Sequence, residues 1–478
     1  MEKRDNRDHR STHATSYVLL LSIFVLVYPL AVYPAFLLDW AGQSTFVPNP
    51  ELVHSIPRLL LLSVVGLLGW RFWQANSAFP LLLLAFAVLV AASSLNANDP
   101  EGWNFTIWGP NRRMDGLVYQ LLLVGLGVAA YGALLQAPKR IAMLQWSLLI
   151  SGIIQTTLLV LQRLGADPIG PLIGGSQYAE TLGTLGASSV AAGFLLPVLL
   201  VNLPLAWAPT NHRNSLLALL GVTMVAIGFG LTQNRSATYA LLFVLALACL
   251  SGFAWRRLAT CLALAGVTLL APVAIPNTQG FAKSYQDTTT LEARFQIWTL
   301  ALESLQHIRG EPWIGGGPDA FLLTLTRRFS AERLASFYRV EHRWPQDARV
   351  KQLEIMTSTN STPRGNVLHA VLEQPDGRET NWLILIRLDR AHNLFLDRFL
   401  AYGAFAMLIW AGLFLYPLYL GARKRIFLEH GPLLALLGLL VYYMAWFPAI
   451  QLEPIHLLLI VAAWVLVVGT QEARNLRQ

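Results

Sequence analysis

Apolar stretches of about 20 residues recur along this chain, each long enough as a helix to cross a hydrocarbon layer about 30 Å thick. Twelve are read from the sequence: residues 17–38, 56–73, 78–95, 116–135, 141–161, 187–207, 215–231, 237–254, 258–275, 396–419, 431–449 and 454–470. Hydrocarbon offers backbone groups no hydrogen-bond partner, so each segment has to satisfy its own, as a helix does. The expected fold is an all-α polytopic membrane protein with twelve transmembrane helices and one large, mainly helical extracytoplasmic loop. Of the 478 residues 55 % are hydrophobic and only 13 % are charged, against roughly a quarter charged in soluble domains. The first segment exceeds a signal-peptide core, lacks a clear small-residue cleavage site and is followed by eleven more, so it reads as a retained span.

These segments divide the chain into a tail (1–16), a membrane domain of nine spans (17–275), a polar loop (276–395), three further spans (396–470) and a second tail (471–478). With both tails in the cytoplasm, the inner segments hold fifteen Lys and Arg, while the short outer loops and span ends hold five, namely Arg58, Arg112, Arg113, Arg163 and Arg235. The positive-inside bias then places the long loop outside the cytoplasm. The net charge of +8 is mostly this bias and not a nucleic-acid signal: residues 276–398 carry fifteen Lys and Arg against fourteen Asp and Glu. The two cysteines, Cys249 and Cys261, both fall in or beside spans eight and nine. The loop therefore has no disulfide and must be held by packing.

Inside the loop, Leu291, Phe295, Trp298, Leu302 and Leu305 follow the spacing of one helix face, with Arg294 beside the stripe. Pro312 and Gly315-Gly316-Gly317-Pro318 break the chain, and a second helix is expected over 319–329. Residues 367–372 and 382–388 flank Pro375-Asp376-Gly377 and read as a hairpin. Together these suggest a compact cap over the membrane domain.

The chain contains neither an Asp-x-Asp pair nor a Gly-Lys-Ser/Thr phosphate loop, which argues against a metal-dependent transferase and a nucleotide-driven pump. Gly125, Gly127 and Gly132 imitate a dinucleotide fingerprint but lie inside a span, where glycines serve close helix packing. No Asp or Glu occupies the middle of a predicted span, which counts against an ion-coupled transporter. What remains on the outer face are Arg112, Arg113, Arg235, Arg294 and His392. Each arginine has two readings: an interfacial anchor whose stem lies along apolar surface, or a two-pronged ligand for phosphate oxygens. His392 likewise is an anchor or a base. Glu453 and His456 flank Pro454 at the start of span twelve, where capping is the simpler reading.

In order, Arg294-Phe295-Gln296-Ile297-Trp298, then Pro312, Gly315, Gly317 and Phe321, then His392-Asn393 with Leu396 and Gly403, resemble the motifs of the O-antigen ligase and polymerase superfamily of bacterial membrane glycosyltransferases. Arg235 after Asn234 resembles that family's outer arginine. The resemblance covers residues 105–405. It departs at Ala187-Ser188-Ser189, where many members have Asn-Pro-Asn.

This resemblance implies a metal-independent, inverting transfer of a glycan from a polyprenyl diphosphate to an acceptor hydroxyl, at the outer face of the bacterial inner membrane and with no cofactor. His392 is then the catalytic base. Arg235, Arg294, Arg113 and Arg112 hold the donor diphosphate. Asn393, Trp298, Gly315 and Gly317 support the site or the acceptor, which is a glycolipid, a glycan or a protein. The chemistry suits the residues: arginines stabilise a leaving diphosphate, and an imidazole with an unperturbed pKa near 6.5 accepts a hydroxyl proton. Three functions stay open on sequence alone: an O-antigen ligase, a polymerase or protein O-oligosaccharyltransferase with the same donor, and a non-catalytic lipid or polysaccharide transporter.

Overall fold

The computed structural model describes residues 2–32, 50–73, 77–97, 103–109, 114–169, 183–207, 212–250, 255–275, 289–308, 312–318, 320–341, 344, 347–356, 367–386, 390–447 and 449–469. Among the described residues ten α-helices precede the loop: α1 (Glu2–Val27), α2 (Pro50–Leu68), α3 (Ala78–Asn96), α4 (Trp103–Trp108), α5 (Leu117–Gln136), α6 (Ile141–Arg163), α7 (Ser188–Trp207), α8 (His212–Leu231), α9 (Arg235–Leu250) and α10 (Trp255–Ala274). The loop contributes α11 (Thr289–Ser304), α12 (Ala320–Arg328) and α13 (Ala331–Glu341), then strands β1 (Arg349–Met356), β2 (Val367–Glu373) and β3 (Glu379–Leu385). The chain ends in α14 (Leu394–Arg423), α15 (Gly431–Tyr443) and α16 (Glu453–Trp464), the last prolonged by a π-helical turn over Val465–Gly469.

Among the described residues, eight helices are long and apolar enough to cross a membrane: Thr12–Leu30, Ala78–Asn96, Leu117–Gln136, Pro138–Arg163, Ser188–Trp207, His212–Leu231, Trp255–Ala274 and Leu394–Arg423. Four shorter apolar helices, Ser55–Leu68, Arg235–Leu250, Gly431–Tyr443 and Glu453–Val468, fall on the other four segments expected from the sequence. Large apolar side chains such as Leu67, Val88, Leu216, Leu270 and Leu408 point outward. Water would penalise that surface, whereas lipid accepts it.

Glycine lets helices approach where the fingerprint imitation stood. A Cβ at Gly127 would lie 2.7 Å from Leu83 Cδ1, and one at Gly132 would strike the Phe72 carbonyl. His9 and His13 stand four apart on α1, an i, i+4 spacing in the N-terminal tail; the His9 side chain lies outside the described residues.

The cap has its own core, in which Ile297, Leu300, Phe321, Leu325, Phe337, Leu368, Leu372 and Ile384 pack with Ala391 and Leu400 of the membrane junction. The hairpin is present, with Gly377 at φ +80° in its turn, and β1 adds a third antiparallel strand in the order β1-β2-β3. Neither β1 nor α13 is anticipated by the sequence reading, and the cap is thus helical with a small sheet. The apolar stripe of α11, expected to lie on the membrane surface or against the spans, is distinct from the side that the cap core covers. The buried side of this helix is Ile297, Leu300, Ala301 and Ser304, whereas Phe295 and Leu302 are more than half exposed. The apolar stripe of Phe295 and Leu302 is real, but the cap core takes the neighbouring one.

The most consequential joint is between the cap and α14. Gly403 has φ +86° and ψ 175°, which divides α14 into 394–402 and 404–423. The segment Pro312–Pro318 docks its backbone into that break: Gly316 N–H donates to Leu400 O (3.0 Å), Gly317 N–H to Ala401 O (2.8 Å), and Ala404 N–H to Pro312 O (2.9 Å). The donors and acceptors released by the broken helix are thereby satisfied by protein, as an irregular backbone at membrane depth requires. Gly315 (φ +79°) and Gly403 face each other so closely that neither site has room for a Cβ.

Candidate active site at the loop–membrane junction

The residues around His392 are each tied to something rigid. Arg390 forms a buried ion pair with Asp115, ahead of α5. The Ala391 N–H donates to Asp397 Oδ1 at 2.7 Å. Asn393 caps α14: its Oδ1 accepts from the backbone N–H of Phe395 (3.0 Å) and Leu396 (3.2 Å), while its Nδ2 donates to Met444 O (3.0 Å). His392 lies between these anchors with φ +54°, in the left-handed region. That region costs a non-glycine residue on the order of 1–3 kcal/mol and persists where the surroundings over-determine it. The fixed neighbours on both sides supply that constraint, and they aim the ring.

The ring meets Trp446 edge-on at 5.3 Å between centroids and Phe447 at 4.9 Å. The Arg294 guanidinium lies over the same Trp446 ring, 5.2 Å from its centroid. One indole thus joins a cation from the cap to an imidazole at the junction, about 100 residues apart in sequence. The turn that bears Trp446 is fastened at both ends, by Asn393 to Met444 O and by the Tyr28 hydroxyl to Ile450 O. Tyr442, packed on Trp446 at 6.3 Å, donates its hydroxyl to Ser189 O at 3.0 Å. The segment that departs from the family pattern at Ala187-Ser188-Ser189 therefore still reaches the site through its backbone.

Sequence reasoning missed Trp446 and Phe447. Both fall at the end of predicted span eleven, where aromatic residues read as interface anchors. The signal that identifies them is their contact with residues distant in sequence.

A second polar layer supports the junction. Arg398 is almost fully buried, paired with Glu453, and donates to Gln120 Oε1 at 3.1 Å. Its guanidinium also lies among three rings, Phe86 at 5.3 Å, Tyr402 at 5.5 Å and Trp410 at 4.8 Å. Glu453 is accordingly more than a helix cap: it neutralises a cation that hydrocarbon would not tolerate alone. His456 meets the Tyr443 hydroxyl at Nδ1 and donates from Nε2 to Gly193 O at 3.1 Å, so Nε2 carries a proton. Arg58, one of the five outer arginines, is wholly buried, donating to the carbonyls of Tyr28, Pro29 and Thr184.

Among the expected site residues, the structure brings Arg294, His392 and Asn393 together. Arg235 is the first residue of α9, half-buried, and α9 packs against α15, the helix that leads into the Trp446 turn. Arg112 and Arg113 lie outside the described residues. Trp298 packs on the cap core and, edge-on, on Phe295 at 5.4 Å. Gly315 and Gly317 belong to the backbone joint and act on the site through α14. Of the other histidines, His369 pairs across the sheet with Glu354 at 3.1 Å and His307 packs on Phe329 at 5.8 Å, while His342 lies outside the described residues. Among the described residues no three His, Cys, Asp or Glu side chains group as metal ligands.

No protein-family model matches the chain, and no curated protein matches it.

Proposed function

We propose that this protein is a metal-independent, inverting glycosyltransferase of the O-antigen ligase type, moving a glycan from a polyprenyl diphosphate to an acceptor hydroxyl. In this reading twelve helices span the bacterial inner membrane, with the four shorter apolar helices completing the eight long ones, and the cap faces the periplasm. The observation that carries it is the meeting of Arg294 and His392 on Trp446. A cation able to grip phosphate oxygens and a base able to take a proton stand together where a lipid carrier presents its polar head.

The reaction needs two things of these residues. As the acceptor oxygen bonds to the anomeric carbon, the bond from that carbon to the phosphate oxygen breaks, and the polyprenyl diphosphate leaves with added negative charge. Arg294, with Arg235, offsets that charge, and a preorganised guanidinium does so without reorganising. The acceptor proton passes to the His392 imidazole. Asn393 and Asp397 keep the backbone that aims this ring, and the single displacement inverts the anomeric centre.

The test is turnover of a polyprenyl diphosphate glycan by the purified protein. Lysine in place of arginine keeps the charge and loses the fork. Transfer should therefore fall at least about tenfold in Arg294→Lys and in Arg235→Lys, an ordinary loss for one charge-assisted contact. If both variants keep wild-type rates, these arginines are anchors. Orientation is tested separately: cysteine replacing Ser330 should react with an impermeant thiol reagent from the periplasmic side, and cysteine replacing Lys424 should not. The reverse pattern would put the cap in the cytoplasm and end the proposal.

A further inference from the structure

Beside the joint, on the opposite end of α11 from Arg294, the cap contains a cleft of about 150 Å³ lined by His307, Gly316, Thr324, Arg327 and Arg328. The Thr324 hydroxyl already donates to Ala320 O at 2.7 Å, and the Gly316 N–H to Leu400 O at 3.0 Å. The donors left to face a ligand are two guanidinium groups and an imidazole. Two neighbouring arginines in the last turn of a helix ordinarily offset its carbonyl end. Here a third nitrogen group, from a different helix, converges on the same concavity, and no acidic side chain stands among the described lining residues. All three side chains belong to solvent-exposed residues, so a ligand can reach them.

Position narrows what that ligand is. From Arg294 to the end of α11 at Ser304 is ten residues, about 15 Å at 1.5 Å per residue, and the turn to His307 adds to this. An anion held in the cleft is therefore several sugar units from the reacting centre. It is too far to be the donor diphosphate held by Arg294, yet within the length of a short oligosaccharide. The cleft is also coupled to the site: Gly316, in its wall, bonds to Leu400, two turns along the helix that Asn393 caps.

We propose that this cleft binds the phosphate or carboxylate groups of an anionic glycan, gripping the acceptor chain at a point remote from its reacting hydroxyl; the acceptor role rests on the transfer reading above. Guanidinium forks suit both oxyanions.

The test uses the full chain in detergent and reads binding without turnover. The probes are fluorescent pentagalacturonate beside its fully methyl-esterified form, and pentamannose 6-phosphate beside its dephosphorylated form. In at least one pair the anionic member should bind tenfold or more tighter. The double variant Arg327→Gln/Arg328→Gln should abolish the difference, whereas Arg378→Gln, in the exposed hairpin turn, should leave it. Binding should persist in His392→Ala and in Arg294→Gln, which removes the guanidinium assigned to the donor diphosphate. Equal binding within both pairs overturns the proposal. So does an equal loss in Arg378→Gln, which would mean diffuse charge, or loss of binding in Arg294→Gln, which would mean the diphosphate site. Anionic-probe binding in a protein that transfers no glycan keeps the ligand class and removes the acceptor role. Intact transfer without probe selectivity overturns the cleft alone.

Discussion

Glycan transfer should fall about 10²-fold or more in His392→Ala, the range expected for losing a general base, while affinity for the donor stays near wild type because Arg294 and Arg235 are untouched. A companion variant sharpens the result. His392 sits at φ +54°, where asparagine is among the side chains that tolerate the backbone best. His392→Asn therefore keeps the local conformation and a polar group but has no basic nitrogen. If the histidine is the base, Asn is as inactive as Ala. If the residue only shapes the turn, Asn restores most of the rate. The measurement is transfer rate beside donor affinity for both purified variants. Undiminished transfer in Ala leaves His392 an anchor, and lost donor binding moves it to the diphosphate.

Gly403→Ala should unfold or uncouple the cap. A Cβ there has nowhere to go, since the Trp313 carbonyl and the Ile314 amide already occupy its position, and the backbone is in a region open essentially to glycine. Strain of about 1–3 kcal/mol from the backbone alone, together with loss of the Gly316, Gly317 and Ala404 hydrogen bonds, predicts a large drop in the thermal midpoint and protease cleavage within 276–393. Gly412 supplies the control. It lies nine residues further along the same helix, and a Cβ there meets nothing within 4 Å. Gly412→Ala should be neutral or stabilising by up to about 1 kcal/mol, as alanine is the better helix former. Similar losses in both variants would show that the joint is not special.

These two residues also mark how far the sequence could be read. The apolar segments were legible because hydrocarbon imposes length and composition directly, and each coincides with an apolar helix. The hairpin was legible from its Pro-Asp-Gly turn. What eluded the pattern were elements defined by partners. Strand β1, exposed or half-buried along its whole length, has little apolar alternation to announce it, because β2 lies beside it to supply the pairing. The buried face of α11 is set by where the cap core lies: Ile297, Leu300 and Ala301 are covered while the stripe of Phe295 and Leu302 stays outside that core, a division that residue spacing alone does not reveal. His392 and Arg294 stood out singly, whereas the Trp446 that joins them looked like any interfacial tryptophan. Glu453 reads from the sequence as a cap residue and Arg398 draws no notice, since nothing local reveals that a cation and a carboxylate 55 positions apart share one buried site.

The ion pair between Arg390 and Asp115 has a further consequence, for the order in which the protein is made. The carboxylate precedes its guanidinium by 275 residues, a delay on the order of 15–55 s at ordinary elongation rates of 5–20 residues per second. Through that interval the amino-terminal helices are already inserted around an acid that lacks its counter-charge. On the topology proposed above, the bundle is therefore unfinished until the cap has been exported and its last residues return to the membrane. A nascent chain arrested before Arg390 carries the lone carboxylate as a mark of incompleteness, open to whatever quality control recognises exposed charge within the bilayer.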